Sequence, residues 1–123
     1  MTDKQGESLA TEGLDADLLT GEQRAKLEAE HGEILAVKTR SGVAVFRVFS
    51  RQEYQAYNAQ LIDEKKRAGA FSALVNTCVV QPSKEEFTRW LDKYPGIVTT
   101  CINPLLEFGG FSTEAATKKY GSA

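Results

Sequence analysis

The sequence predicts an α+β fold, in which a short β-hairpin is followed by a bundle of about four helices and preceded by a flexible acidic arm. Two observations support this fold class. Three Ser/Thr-x-x-Glu/Gln capping boxes mark helix starts, and two β-rich segments separated by a glycine-containing turn lie between the first two boxes. The 123 residues, 41% of them hydrophobic, are enough for one domain with its own core.

Three segments of the chain differ in composition. Residues 1–19 contain five acidic residues and one lysine, a net charge of −4, so we expect them to form a flexible arm. Residues 20–111 hold the capped helices and the hairpin, and we expect them to fold as a single domain. Residues 112–123 are mostly small and polar, and we expect a flexible tail.

The capping boxes place three helices. In each box the Ser or Thr oxygen accepts an unpaired backbone N–H, and the Glu or Gln side chain reaches back to the cap. The boxes are Thr20 with Gln23, Ser50 with Glu53, and Ser83 with Glu86. The predicted helices end at about His31 before Gly32, at about Arg67, and at Tyr94 before Pro95.

A hairpin is predicted between the first two helices. Its strands are Ile34–Thr39 and Val43–Phe49, and Arg40-Ser41-Gly42 forms the turn, with glycine supplying a positive φ. Both faces of the second strand are mostly apolar. Because a lone two-stranded hairpin is marginal in water, helices must cover this one or another chain must extend it.

Helical stripes of apolar residues define the expected core. The first stripe has the spacing i, i+3, i+4, i+7, i+8 and ends before Pro82; the third capped helix carries another. We predict a helix over the whole of the first stripe. The side chains predicted to pack against one another are Phe71, Leu74, Cys78, Phe87, Trp90 and Leu91.

The last apolar segment, 97–108, is apolar nearly all round a helix and contains Pro104. Proline removes a backbone donor, so we expect a kink or two short helices there. A helix that is apolar on all sides must be buried completely in its own chain or must bind a partner. We therefore predict an adaptable protein-binding surface at the end of this segment. It consists of Leu105, Leu106, Phe108 and Phe111.

The sequence contains no catalytic or cofactor motif. There is no phosphate-binding glycine loop and no nucleophile elbow, and His31 is the single histidine. Cys78 and Cys101 lie in apolar stripes and are expected to be reduced core thiols, in preference to a disulfide, a metal site or a nucleophile without a base. We expect a protein that is not an enzyme and that binds no cofactor or metal.

Charge and hydropathy argue against nucleic-acid and membrane partners. The formal net charge is −2, and no apolar run approaches the roughly 18 residues of a membrane span. The basic run Lys65-Lys66-Arg67 is explained by the dipole at a helix C-terminus, and no second basic cluster extends it toward a nucleic-acid site. The polar start of the chain favours the cytoplasm.

The chain resembles the small tail assembly chaperones of long-tailed bacteriophages over about residues 33–111. The resemblance lies in strand, cap and helix-end features that follow one another in a familiar order. These features are Phe46-Arg47, Ser50-Arg51-Gln52-Glu53-Tyr54, Cys78-Val79-Val80-Gln81-Pro82-Ser83-Lys84-Glu85-Glu86-Phe87, Tyr94-Pro95-Gly96 and Leu105-Leu106-Glu107-Phe108-Gly109-Gly110.

The resemblance implies a non-enzymatic role in the cytoplasm of a bacterial host. Such proteins coat the long, apolar, helical tape measure protein, keep it soluble until the tail tube polymerises around it, and are absent from the mature virion. A coat of many weakly bound copies also favours a homo-oligomer, which open hairpin edges would link. Two other roles stay open: a structural tail or connector protein of the virion, and a small cytoplasmic adaptor or regulator with one protein partner.

Overall fold

A computed structural model describes residues 18–112 and 118–121 of the chain. It confirms the α+β fold class: the described residues form a three-stranded antiparallel sheet and five α-helices. Most of the predicted arm and most of the predicted tail lie outside the described residues. The boundaries 1–19, 20–111 and 112–123 therefore stay predictions.

The secondary-structure elements follow one another in mixed order, and the sheet order is β1-β2-β3. A short 3₁₀ turn, Arg67–Gly69, precedes the third helix. The elements are α1 Gly21–His31, β1 Ile34–Thr39, β2 Gly42–Arg47, α2 Arg51–Ile62, α3 Ala70–Cys78, β3 Val79–Gln81, α4 Lys84–Lys93 and α5 Ile97–Phe108.

The capping boxes start the helices where the sequence predicts. Thr20 and Ser50 each accept the backbone N–H three residues later, and Gln23 and Glu53 return a bond to the cap backbone. The third box is only half formed. Ser83 caps the Glu86 N–H, but the Glu86 carboxylate accepts hydrogen bonds from Arg89 and from Trp90 Nε1 instead of reaching back.

The hairpin turn is one residue shorter than predicted. Thr39 pairs with Gly42, so only Arg40 and Ser41 form the turn, and β2 begins at Gly42 and ends at Arg47. Thr39 Oγ1 accepts the N–H groups of Ser41 and Gly42 and donates to the Gly42 carbonyl. Gly42 has φ 148°, and the Trp90 ring lies 3.1 Å from the position of an added Cβ. A side chain at position 42 would therefore be strained by the positive φ and would crowd the Trp90 ring.

The third strand was not predicted. The sequence pattern indicated a helix continuing to Pro82, but α3 ends at Cys78 and Val79–Gln81 pairs with β2 instead. Two pairs form, Val45 with Gln81 and Phe46 with Val79, with a register shift between them. The free edge of β2 provides backbone partners for this extended segment, and no local pattern reveals that edge.

Two helix predictions were wrong in extent. The second helix ends at Ile62 rather than near Arg67, because Asp63 starts a turn in which its carboxylate accepts the Lys65 N–H. The last helix runs unbroken through Pro104, so the predicted alternative of two short helices is wrong, and the alternative of a kink stays a prediction. Proline leaves the carbonyl one turn earlier without its usual donor, and Thr100 is exposed there, so water can bond to that carbonyl.

The sheet separates two apolar layers. Ala44 and Phe46 point into the main core, where the Phe46 and Phe87 rings meet edge to face at 5.8 Å. Val45 points to the opposite face and is fully buried outside the main core. On that face α1 packs on β1 and buries Leu27. Of the two predicted alternatives, cover by helices is therefore the one that the structure shows.

The predicted core is correct except at Phe71. Leu74, Cys78 and Phe87 are buried, and Trp90 and Leu91 pack against them half-buried. Phe71 is 43% exposed. The buried stripe of α3 starts one residue earlier than the sequence pattern indicated. It consists of Ala70, Leu74, Val75 and Cys78.

Leu74→Ala should lower the free energy of unfolding by about 2–5 kcal/mol, because Leu74 is almost fully buried in the main core. Phe71→Ala serves as the control and should cost roughly 1 kcal/mol, since much of that ring is already in water. Urea denaturation followed by circular dichroism measures both. Equal costs for the two variants would contradict the assignment of the α3 face.

Candidate protein-binding surface

The structure divides the predicted surface residues into two pairs. Leu105 is fully buried and Leu106 is 9% exposed, so the prediction of exposed surface is wrong for both. Helix α5 has a polar side, because Thr99, Thr100 and Asn103 are exposed to solvent. The two leucines lie on the opposite side, in the core. Phe108 is partly buried against the core, and Phe111 is 45% exposed. Partner contact by any of them stays a prediction.

The backbone after α5 fixes the position of Phe111. The Phe111 N–H donates to the Leu106 carbonyl at 2.9 Å, and the Gly110 N–H donates to the Glu107 carbonyl at 3.0 Å. Gly110 has φ 104°, which glycine adopts without strain. These bonds form a Schellman motif, in which the residue after the glycine usually lies against the last helical turn. Phe111 is thus held at the surface.

A row of four aromatic rings runs from the end of the sheet along α2 to α3. Phe49 stacks on Tyr54 at 5.4 Å between ring centroids, and Tyr54 lies 6.0 Å from Tyr57. Tyr57 lies 6.1 Å from Phe71. We call these four residues the aromatic row. Tyr57 is buried, Phe49 and Tyr54 are half-buried, and Phe71 is exposed.

The Phe49 end of the aromatic row lies against Gly109, two residues before Phe111 in the chain. The Phe49 ring packs on the Gly109 backbone so closely that a Cβ added at Gly109 would lie 2.0 Å from it. Phe111 follows two residues later and is exposed. Exposed aromatic surface is therefore present at Phe71, at one end of the row, and at Phe111, beyond its other end.

An ion pair fixes the start of α2 and with it the row. Arg47 Nη1 and Nη2 donate to the two Glu53 carboxylate oxygens at 2.9 and 2.8 Å. These hydrogen bonds hold the pKa of Glu53 at about 2, well below its ordinary value of 4.5. Arg47 Nη2 also donates to the Thr77 carbonyl. One guanidinium therefore connects β2, α2 and the C-terminus of α3.

Lys84 completes this polar cluster at the end of α3. Its ammonium donates to the carbonyls of Asn76, Thr77 and Val79 at 2.6, 3.0 and 3.3 Å. A cation is favourable there because the last carbonyls of a helix carry partial negative charge. The nearby groove contains Arg47 and Lys84, but both cations already have protein partners. We therefore assign this cluster a structural role.

The two thiols are poorly suited to nucleophilic chemistry. Cys78 and Cys101 are free and buried. Burial raises the pKa of Cys78 to about 11 and the pKa of Cys101 to about 12. Since the thiolate is the nucleophile and the metal ligand, both groups are unreactive at neutral pH. Within residues 18–112 and 118–121, no cluster of His, Cys, Asp and Glu is arranged to hold a metal ion.

A cavity lies between α2 and α3, and its volume is about 80 Å³. Sites for small organic ligands usually measure roughly 300–1,000 Å³. Its lining includes Ala56, Ala70 and Ala73, whose small side chains leave the space open. The cavity is too small for a cofactor. Separately, none of the described helices has the length and apolar character needed to cross a membrane.

Comparison with known proteins supports the fold and gives no function. No protein-family model and no curated protein matches the chain. The chain is similar to the solved structure of an uncharacterised protein from Bacillus stearothermophilus, with a TM-score of 0.66 and 18% identity. The match covers 77% of this chain and 99% of that protein. At this identity the likeness shows a shared fold alone.

Sequence reasoning missed the aromatic row, although a signal was present. Tyr54 and Tyr57 have the i, i+3 spacing of neighbours on one helix face, and Phe49 precedes the cap of the same helix. Phe71 was assigned to the core instead. Its place in the row depends on how α2 and α3 pack, which the local pattern does not contain.

Gly109→Ala should destabilise the fold by about 1–3 kcal/mol, because the new methyl group overlaps the Phe49 ring and forces a shift. Gly96→Ala is the matched control at the other end of α5; no atom lies within 4 Å of an added Cβ there, so little change is expected. Thermal denaturation measures both. In a Phe49→Ala background the Gly109→Ala cost should largely disappear, and its persistence would contradict the proposed contact.

The Arg47–Glu53 pair should make stability depend on pH in acid. The folded-state pKa of Glu53 is lowered, so its contribution is complete above pH 4.5 and is lost as the pH falls toward about 2. The loss should be on the order of 1–2 kcal/mol, since both side chains are partly solvated. Glu53→Gln keeps a side chain that can form the capping box and removes the titration. An unchanged pH profile in that variant would exclude this pair as its source.

Proposed function

We propose that the chain is a non-enzymatic tail assembly chaperone of a long-tailed bacteriophage. It binds the tape measure protein and keeps it soluble during tail assembly. The sequence resemblance supplies the identity of the partner. The observation that supports protein binding is the exposed aromatic surface at Phe71, at the α3 end of the aromatic row, and at Phe111, after α5.

Aromatic side chains suit an adaptable surface for a helical partner. They bury a large area on contact and lose little side-chain entropy, because each has only two rotatable torsions. An amphipathic helix presents apolar groups at i, i+3, i+4 and i+7, a stripe that a row of rings can follow. Three rings of the row are already ordered by their neighbours, so binding orders few additional groups.

The surroundings of the row fit a partner of mixed charge. The segment that follows α2 carries exposed charges of both signs, Asp63, Glu64, Lys65 and Lys66. Amphipathic helices carry charged residues beside the apolar stripe, and cations at the rim of a binding surface add specificity and speed of association more than affinity. This arrangement supports contact with a protein surface.

The two unreactive thiols support the non-enzymatic part of the proposal. As a chaperone the protein acts in the cytoplasm of the bacterial host and is absent from the mature virion. Its copies act together on one long partner, and weak individual contacts then suffice because effective concentration is high along the rod.

The test is co-expression with the long helical protein encoded downstream, followed by affinity purification and measurement of soluble partner. The wild type should keep the partner soluble in several copies per rod. Phe71→Ser with Phe111→Ser should reduce the soluble partner about tenfold or more, because both exposed aromatic anchors are lost. Circular dichroism should show an intact fold.

Ile62→Ser is the matched control: it removes a more exposed apolar side chain that is neither a member of the aromatic row nor near Phe111 in the chain, and partner solubility should stay near the wild type. Full solubility with the double variant would contradict the surface assignment. Retention of the protein in purified virions would instead favour the structural tail or connector role. Fixed one-to-one binding to another protein would favour the adaptor role.

A further inference from the structure

The free edge of β1 presents three residues whose backbone groups point away from the sheet. Thr39 and Gly42 flank a two-residue turn, so they form a hydrogen-bonded pair. Hydrogen-bonded and non-bonded pairs alternate along an antiparallel ladder. The N–H and C=O groups of Leu35 and Val37 therefore face β2. Those of Ile34, Ala36 and Lys38 point outward.

This edge is uncovered in the part of the chain that the structure describes. No described residue exchanges a hydrogen bond with the outward backbone groups of Ile34, Ala36 or Lys38. Helix α1 packs on the adjacent face, but an open groove of about 440 Å³ remains between it and the strand. The groove is lined by Leu19, Gly21, Arg24, Glu28, Ile34, Leu35 and Ala36.

The edge also lacks the usual protection against pairing. Natural edge strands are kept short, or carry charges, proline or a bulge. β1 has six residues, its first four are apolar, and it pairs with β2 without a register shift. Lys38 is its one charged residue. A six-residue apolar edge of this kind is expected to have a partner.

We propose that β1 pairs antiparallel with β1 of a second copy of this chain, about a twofold axis at Ala36. The two three-stranded sheets then join into one of six strands. This pairing is independent of the tape measure protein, because it concerns two copies of the chain alone.

The hydrogen-bond phase and the number of outward residues together select the register. Outward-pointing residues must lie opposite outward-pointing residues, and all three in each copy are paired only when Ala36 faces Ala36 of the second copy and Ile34 faces Lys38 of the second copy. On the core side of the sheet, Leu35 then faces Val37 of the second copy, and both are apolar. A shift by one residue would bring inward-pointing groups to the edge and lose the bonds.

Charge complementarity favours a second copy over an unrelated strand. Ile34 lines the groove together with Glu28, so the Lys38 of the second copy opposite Ile34 enters the groove that contains this carboxylate. The twofold axis repeats the contact, which gives two Glu28–Lys38 pairs between the copies. Within one chain, Glu28 has a single long contact with Arg24 at 3.4 Å and is well exposed. The only charge on the strand thereby meets an opposite charge in the partner.

Hydrogen exchange of the isolated full-length chain tests the register directly. As the protein concentration rises, sedimentation equilibrium should show a dimer, and the amides of Ile34, Ala36 and Lys38 should gain protection together. The amides of Leu35 and Val37 should be protected at every concentration, since they bond to β2. A monomer throughout, or a dimer in which the three outward amides stay unprotected, overturns the proposal.

A charge exchange tests the contact between copies. Lys38→Glu and Glu28→Lys should each weaken dimerisation about tenfold, because each places like charges together at two symmetric positions. The double variant restores opposite charges and should return the dissociation constant to within about threefold of the wild type. Both side chains are exposed, so the fold is unaffected. A double variant as weak as the sum of the two single variants overturns the register.

Discussion

The rest of the fold depends on the central strand, β2, which is buried on both faces and paired at both edges. Ala44 and Phe46 are buried in the main core on one face, while Val45 is buried outside that core on the other. One edge of β2 pairs with β1 and the other recruits β3. At the end of β2, Arg47 donates hydrogen bonds to Glu53 and to the Thr77 carbonyl. Arg47 therefore links the end of the strand to α2 and to the C-terminus of α3.

The features predicted correctly from the sequence are those encoded within a few residues. Thr20 and Ser50 cap their helices because the partners of each bond lie three residues apart, and the hairpin follows from a glycine between two β-rich runs. The features missed are set by distant contacts. Val79–Gln81 becomes a strand because β2 has a free edge, and Leu105 and Leu106 are buried because α3 and β1 pack on α5. The local apolar pattern indicates which side chains must be covered. It does not indicate whether the chain itself or a partner covers them.

The burial of Leu105 and Leu106 changes the kind of surface on which the proposed function rests. Aliphatic groups on a kinked helix would have formed a soft, rearranging patch. The structure instead offers a row of rings in mutual contact, whose Phe49 end packs on Gly109 and whose helix α2 is held at its start by the cap at Ser50 and by the Arg47–Glu53 pair. Such a surface keeps its shape, so under the proposed function any adaptation to a long partner comes from the number of copies that bind it.

The inequality of the two sheet edges limits how far the chain can self-associate. β1 is six residues long, while β3 has three residues, a register shift against β2 and Pro82 immediately after it. Proline has no N–H to offer, so the outer side of β3 cannot template another strand of useful length. A twofold pairing of β1 with itself uses up the one competent edge in each copy. In the proposed dimer no competent edge is left among the described strands, so growth would stop at two chains and the apolar strand would not seed a fibre.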